Sequence, residues 1–268
     1  MIFYSRLEQI RQEKPLLHCV SNLVSANDCA NLALAIGASP MMAQALEEMV
    51  EITRISSATV LNTGTPDRER FEVCRVCGET AQEIAQPIVL DPVGVGASRW
   101  RREQIQALLE RFRPTILRAN LGEAMALCGQ AGREHGVDST ECPDLDRRSD
   151  LASELALRYG TTVLLTGKED MICDGHRGLR VSGGSERMSR VTGTGCMLSV
   201  LCGAFAAVES DAVSAATLAA AFWKRCAERA ELASHGRGVG SFHVELMNVA
   251  EQMTVEELED SSNIQEII

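Results

Sequence analysis

Three groups of residues in this chain could do chemistry. The first is Val191-Thr192-Gly193-Thr194-Gly195-Cys196, which runs straight into the apolar stretch Met197-Leu198-Ser199-Val200-Leu201-Cys202-Gly203-Ala204-Phe205. Two glycines one residue apart permit a tight turn and close approach to a ligand, and the apolar run can form a buried helix. The loop therefore ends at a helix N-terminus. There, amide N–H groups without intrahelical partners and a positive macrodipole favour a phosphate, or the negative charge that develops during its transfer. Cys196 would sit on the first turn, where a thiol is expected to have a depressed pKa. The same small residues would equally suit close helix packing, with Cys196 as a small hydrophobe.

The second group is Asp91-Pro92-Val93-Gly94-Val95-Gly96-Ala97, at the end of an apolar run over residues 87–90. A carboxylate at the end of a buried strand needs a cation or hydrogen-bond donors. Mg²⁺ is one solution, because it prefers oxygen ligands and keeps waters and substrate phosphates in its shell. Backbone N–H groups of the turn are the other. The third group, Arg118-Ala119-Asn120-Leu121-Gly122-Glu123, follows an apolar run over 114–117. Asn120 with Glu123 three residues on matches a capping box. Glu123 could also order a water on Mg²⁺ while Arg118 meets a phosphate, and both uses are compatible with the cap.

The elements that must position these groups are legible as an alternation. Short apolar runs at 16–20, 41–43, 58–62, 87–90, 114–117 and 162–165 read as strands, and 171–173 with 179–181 as an antiparallel hairpin around Asp174-Gly175-His176-Arg177-Gly178. Helices are expected at 1–14, 29–36, up to Met49, 67–85, from Asn120 to 127, 150–159, 212–232 and after Gly238-Val239-Gly240-Ser241. Residues 131–149 read as an exposed polar loop, and the acidic tail (about 254–268) as solvated. This predicts one α/β domain over 1–268: a mostly parallel central sheet with helices on both faces, in three α/β/α layers. In such a sheet the strand ends lie along one edge, so Asn22, Asp91, Arg118 with Glu123, and Thr166 can face one crevice with the glycine loop. Asn27 is a further candidate beside Asn22. The set is an inventory for phosphoryl transfer, which depends on positioning and charge neutralisation. No GxxxxGK[ST] is present, and no GxGxxG follows the first strand.

Composition narrows the partners. The 268 residues carry a net charge of −11 and no basic block, which argues against nucleic acid or an anionic membrane. No 18-residue apolar run and no signal-peptide layout is seen, so a cytoplasmic protein is expected. The ten cysteines are scattered through apolar patterns and read as buried thiols. The Cys74-Arg75-Val76-Cys77 pair falls within an amphipathic helix and lacks the further ligands of a zinc site.

Gly193-Thr194-Gly195-Cys196 opening a helix, the NxxE of Asn120-Leu121-Gly122-Glu123, and Asp91-Pro92-Val93-Gly94 together resemble the ribokinase-like superfamily of small-molecule kinases. A Cys in the glycine loop, where most members have an Asp, resembles the hydroxyethylthiazole kinases of thiamine salvage. The likeness extends through Ser21-Asn22-Leu23-Val24, Gly37-Ala38-Ser39-Pro40-Met41-Met42-Ala43, residues 90–97, Gly136-Val137-Asp138-Ser139, Thr166-Gly167 with Asp170, and Gly240-Ser241-Phe242. Ala119 and Gly122 depart from the Gly and Ser common around this NxxE. The resemblance implies transfer of the ATP γ-phosphoryl group to the alcohol of 4-methyl-5-(2-hydroxyethyl)thiazole, with Mg²⁺ as cofactor. It implies that Cys196, Gly193 and Gly195 act in catalysis and that Asp91 and Glu123 lie near the metal. Arg118, Thr166, Asp91 and Asn120 would bind the nucleotide, and Asn22, Val24, Met42 and Gly193 the thiazole, in a homotrimer with sites at subunit boundaries. A kinase for hydroxymethylpyrimidine or pyridoxal, or a nucleotide-repair dehydratase of the same fold, is the alternative.

Overall fold

The computed structural model describes residues 2–130, 145–261 and 263–267. Its centre is a sheet of nine strands: β1 (Leu16–Val20), β2 (Ser39–Met41), β3 (Ala58–Asn62), β4 (Ile88–Asp91), β5 (Ile116–Asn120), β6 (Thr162–Thr166), β7 (Asp170–Cys173), β8 (Gly178–Ser182) and β9 (Asn263–Glu266). They lie in the order β2-β1-β3-β4-β5-β6-β7-β8-β9. Pairings from β2 to β6 are parallel, and those from β6 through β9 antiparallel.

Both faces of the sheet are buried, as its apolar strands require. Successive residues feed opposite cores: Leu17, Cys19, Val60 and Leu164 go to one, Val20, Leu61, Val163 and Leu165 to the other. The first core is closed by α1 (Arg6–Glu13), α2 (Ala26–Ile36), α8 (Thr194–Ala206), α9 (Ala212–Ala233) and α10 (Val239–Gln252). The second is closed by α3 (Met49–Ile55), α4 (Arg68–Glu83), α5 (Arg99–Arg111), α6 (Leu121–Leu127) and α7 (Leu145–Tyr159). The expected three-layer α/β/α architecture is what forms. Helix α8 is apolar all round because it is covered all round: it packs on β1, β3 and β4 beneath α2 and α9, and every residue from Met197 to Ala206 is buried.

The strand expected at 41–43 forms two residues earlier, as β2, and the helix expected from 29 starts at Ala26; the structure departs from the sequence reading in three further places. Met42, Ala43, Leu46 and Met49 have helical spacing, yet the chain is still extended at Ala45 (ψ 124°) and turns only at a short 3₁₀ segment, Leu46–Glu48, before α3. Helix α7 starts at Leu145, inside the stretch expected to be loop, because Arg148 is drawn inward. The rest of that loop, with Gly136-Val137-Asp138-Ser139, lies outside the described residues.

The expected solvated acidic tail is the third departure. It folds as α11 (Val255–Ser261) and then β9. Glu256, Glu259 and Asp260 are exposed, but Leu258 is fully buried and the Glu257 carboxylate meets Arg225 (3.3 Å) and Arg229 (2.7 Å) on α9. Val255 and Leu258 are its two apolar residues in α11, too few to mark a period in sequence. Among the described residues, no helix is long and apolar enough to cross a membrane.

Candidate active site

The polar residues that interrupt the strand pattern meet along the carboxyl edge of the parallel strands. The register sets Asn62 beside Asp91 and Asn120 beside Thr166. Asp91 is fully buried. Its Oδ2 accepts from Asn62 Nδ2 (3.0 Å) and Ser199 Oγ (2.7 Å), and its Oδ1 faces Arg118 Nη1 at 3.4 Å. Arg118 Nη2 donates to Thr166 Oγ1 at 2.9 Å, while its buried Nε finds no partner. On the other side, Asn22 Nδ2 donates to Asn62 Oδ1 (3.0 Å) and to Cys196 Sγ (3.2 Å). A continuous run of contacts thus links Cys196 to Thr166 through two asparagines, a carboxylate and a guanidinium.

The glycine loop opens α8 as expected. Gly193 holds φ +82°, and a side chain there would press on Ser25, 2.8 Å from its Cβ. No side chain caps the helix, so its first amides are left for a ligand. Trp223 Nε1 on α9 pins its start by donating to the Thr194 carbonyl (3.1 Å). A Cβ on Gly195 would collide with the Arg118 guanidinium, so glycine is what lets Arg118 lie against the loop. Cys196 occupies the first turn, but the expected depressed pKa is not what its surroundings give. Burial, and then the Asp91 charge, push the thiol up, and contacts with Ser25, Arg118 and Asn62 only partly offset this. These surroundings favour the thiol over the thiolate at Cys196.

Glu123 closes the other end of the site. The capping box is complete: Asn120 Oδ1 accepts from Glu123 N (2.8 Å) and Glu123 Oε2 from Asn120 N (2.9 Å). Glu123 Oε1 also accepts from Gly94 N at 3.0 Å, tying α6 to the loop after β4. Burial raises the Glu123 carboxyl above the usual range; Arg118 opposes this and the Asp91 charge adds to it. Two buried carboxylates therefore face one guanidinium.

The structure brings together Asn22, Asp91, Arg118, Thr166 and Cys196, with Gly193, Gly195, Asn120 and Glu123 flanking them. Asn27 lies apart, exposed on α2, where its Oδ1 accepts from Asn31 (3.0 Å). Val24 contributes its N–H to Asn22 Oδ1 (2.9 Å) but leaves its side chain exposed, and Met42 is half-buried against the first core. Asn62 and Ser199 belong to the site although sequence reasoning passed over them. Each had a signal: Asn62 ends its strand with a polar residue, and Ser199 is the one hydroxyl within the apolar run 197–205, three residues after Cys196.

The model of the hydroxyethylthiazole kinase family matches residues 7–256. The chain belongs to that family. Hydroxyethylthiazole kinases from Listeria monocytogenes serotype 4a and from an Exiguobacterium species are 40% and 43% identical to it. These matches cover 99% and 92% of this chain, and 98% and 92% of theirs. The hydroxyethylthiazole kinase structure from Pyrococcus horikoshii OT3 superposes with a TM-score of 0.89 at 36% identity, over 99% of this chain and 98% of that one. A Staphylococcus aureus pyridoxal kinase in complex with AMP-PCP shares the ribokinase-like fold alone, with a TM-score of 0.58 at 16% identity over 78% and 86% of the two chains. As a member of the hydroxyethylthiazole kinase family the protein is a phosphotransferase with an alcohol acceptor, and ATP as its co-substrate follows from the family.

Proposed function

We propose that this kinase transfers the γ-phosphoryl group of ATP to the hydroxyl of 4-methyl-5-(2-hydroxyethyl)thiazole in thiamine salvage. The observation that carries the reading is Cys196 on the uncapped first turn of α8, held by Asn22 at 3.2 Å beside Gly193 and Gly195, in a chain related over nearly its whole length to hydroxyethylthiazole kinases. The alcohol lies against Cys196 Sγ, and Asn22, Val24, Met42 and Gly193 form the thiazole pocket. Arg118, Thr166, Asp91 and Asn120 face the nucleotide.

In the reaction the acceptor oxygen bonds to the γ-phosphorus as the bond to the ADP oxygen breaks. The amides at Gly193 and Gly195 stabilise the charge on the transferring group. A loose transition state demands little deprotonation of the alcohol before attack. A neutral thiol at Cys196 suffices to orient the hydroxyl, whose proton leaves to an oxygen of the transferred phosphoryl group or to water as the new O–P bond forms.

The donor set fits Mg²⁺. Asp91 and Glu123 offer hard oxygens, with Arg118 opposing their charge, and no group of three or more His, Cys, Asp or Glu that could hold a metal is present among the described residues. That suits an ion which takes one or two carboxylates and fills its shell with water and phosphate oxygens. When bound, the ion supplies charge neutralisation between the phosphates.

The reading includes a homotrimer with sites at subunit boundaries. Leu23 and Val24, 72% and 61% exposed next to Asn22, support it. A cytoplasmic setting is supported by the nine described cysteines, all free thiols. The activity is tested by ADP release in ATP and Mg²⁺ with and without the thiazole; release that does not depend on the thiazole contradicts the reading. Light scattering of the purified protein tests the trimer.

A further inference from the structure

Beside the proposed nucleotide site, the turn between β6 and β7, Thr166-Gly167-Lys168-Glu169, is gripped from both faces of the sheet by cations that the chemistry above does not use. From α7, Arg148 Nη2 donates to the carbonyls of Thr166 (3.3 Å) and Glu169 (3.0 Å). From α9, Lys224 Nζ donates to those of Gly167 (3.3 Å) and Lys168 (3.1 Å), and to Gly183 (3.4 Å). All four carbonyls of the turn are drawn inward while Gly167 and Lys168 face solvent. A Cβ at Gly167 would collide with the Arg148 guanidinium, the same relation Gly195 has to Arg118.

Among the described residues, the charges at this turn do not balance. Lys224 has Asp170 Oδ1 at 3.5 Å, and Asp170 also accepts from Gly167 N at 2.9 Å. Arg148 is 5% exposed, meets no carboxylate among the described residues, and its buried Nε has no partner. The nearby carboxylate of Glu169 is turned to Arg180 at 3.5 Å. Neutral donors would satisfy four carbonyls equally well. A buried cation without a counter-charge is costly unless an anion completes it.

We propose that Arg148 and Lys224 are positioning residues for the nucleotide, holding the Thr166–Gly167 turn in place and supplying positive charge that the polyphosphate of a nucleoside triphosphate completes. This rests on the reading of Thr166 as a nucleotide contact. Neither residue touches the acceptor-alcohol end of the site at Asn22 and Cys196, so the two substrates should respond differently to their removal.

The test compares the KM for ATP, the KM for the thiazole and kcat in the full-length protein and in Arg148→Met, Lys224→Met and Thr166→Ala. Each cation variant should raise the KM for ATP roughly tenfold, the scale of one charge-assisted hydrogen bond, and leave the KM for the thiazole within about twofold. Arg148→Lys and Lys224→Arg should recover most of the loss. Lys224→Met with Asp170→Asn removes the stranded carboxylate; it should restore thermal stability but not the KM for ATP, which keeps the test decisive if Lys224→Met folds poorly. An unchanged KM for ATP in a folded cation variant, or a parallel rise in both KM values, overturns the proposal. Failure of Thr166→Ala to change the KM for ATP overturns instead the nucleotide reading on which it rests.

Discussion

Ser199 Oγ and Asp91 Oδ2 meet at 2.7 Å across 108 positions of sequence, and this contact ties the glycine-loop helix to the end of the central strand β4. Asn62 donates to the same oxygen at 3.0 Å. The loop amides proposed to receive the phosphoryl group and the carboxylate proposed to face the metal are therefore tied together by direct hydrogen bonds. Ser199→Ala should lower kcat about tenfold and stability by about 1–3 kcal/mol, the range for stranding a buried acceptor. Steady-state rates and urea unfolding check this. A full kcat with lowered stability would reduce the contact to packing.

Glu123→Ala should raise the Mg²⁺ concentration needed for half-maximal rate. It should also destabilise the fold by about 1–3 kcal/mol, because the amides of Asn120 and Gly94 lose their acceptor, although Asn120 still caps α6 through the backbone of residue 123. Titrating Mg²⁺ at fixed ATP separates the two effects. Unchanged Mg²⁺ dependence removes the metal role from Glu123.

Cys196→Asp should retain activity, since a carboxylate can orient the same hydroxyl and accept its proton. Cys196→Ser should keep kcat within about tenfold of the parent, because general-base catalysis by a neutral thiol contributes little of the ~10²–10⁴-fold such catalysis can give. A loss of that full size in Cys196→Ser would mark the thiolate as an essential base.

His18 offers a pH test of the core. Burial lowers its pKa from 6.5 to about 4, offset only in part by the Ala43 backbone, and its Nδ1 lies 3.1 Å from Thr53 Oγ1. The native state keeps the ring neutral while the unfolded chain takes up a proton below pH 6.5. Its contribution is complete above that pH and is lost as pH falls towards 4, by about 3 kcal/mol in all. The urea midpoint should fall less between pH 7 and pH 4.5 in His18→Gln than in the parent. An identical pH dependence in both would contradict the assignment.

The strand ends were the most legible part of the sequence. A polar residue that closes an apolar run, as at Asp91 or Thr166, can be read without a structure because burial leaves it few other uses. The Asn120–Glu123 box was legible because its spacing is local. Cys196 was placed correctly on the first turn, but its pKa was not readable, since it is set by burial in the folded site and then by Asp91, on a strand more than 100 residues away. Ser199 and Lys224 were hidden for the same reason: each lies in a helix whose pattern gives only periodicity, and its partner is set by the sheet order. Arg148 was hidden because it falls in the polar stretch 131–149 that reads as loop. The last two elements escaped because α11 and β9 depend on Leu258 and on pairing with β8, not on any pattern of their own.

The measurement that bears most directly on the function is mass spectrometry of products formed from ATP and Mg²⁺ with hydroxyethylthiazole, hydroxymethylpyrimidine and pyridoxal in one mixture. The account predicts phosphate chiefly on the thiazole, in an amount matching the ADP released. Phosphate chiefly on another alcohol would contradict the substrate assignment and leave the kinase site standing, while ATP hydrolysis with no phosphorylated alcohol would contradict the kinase reading itself.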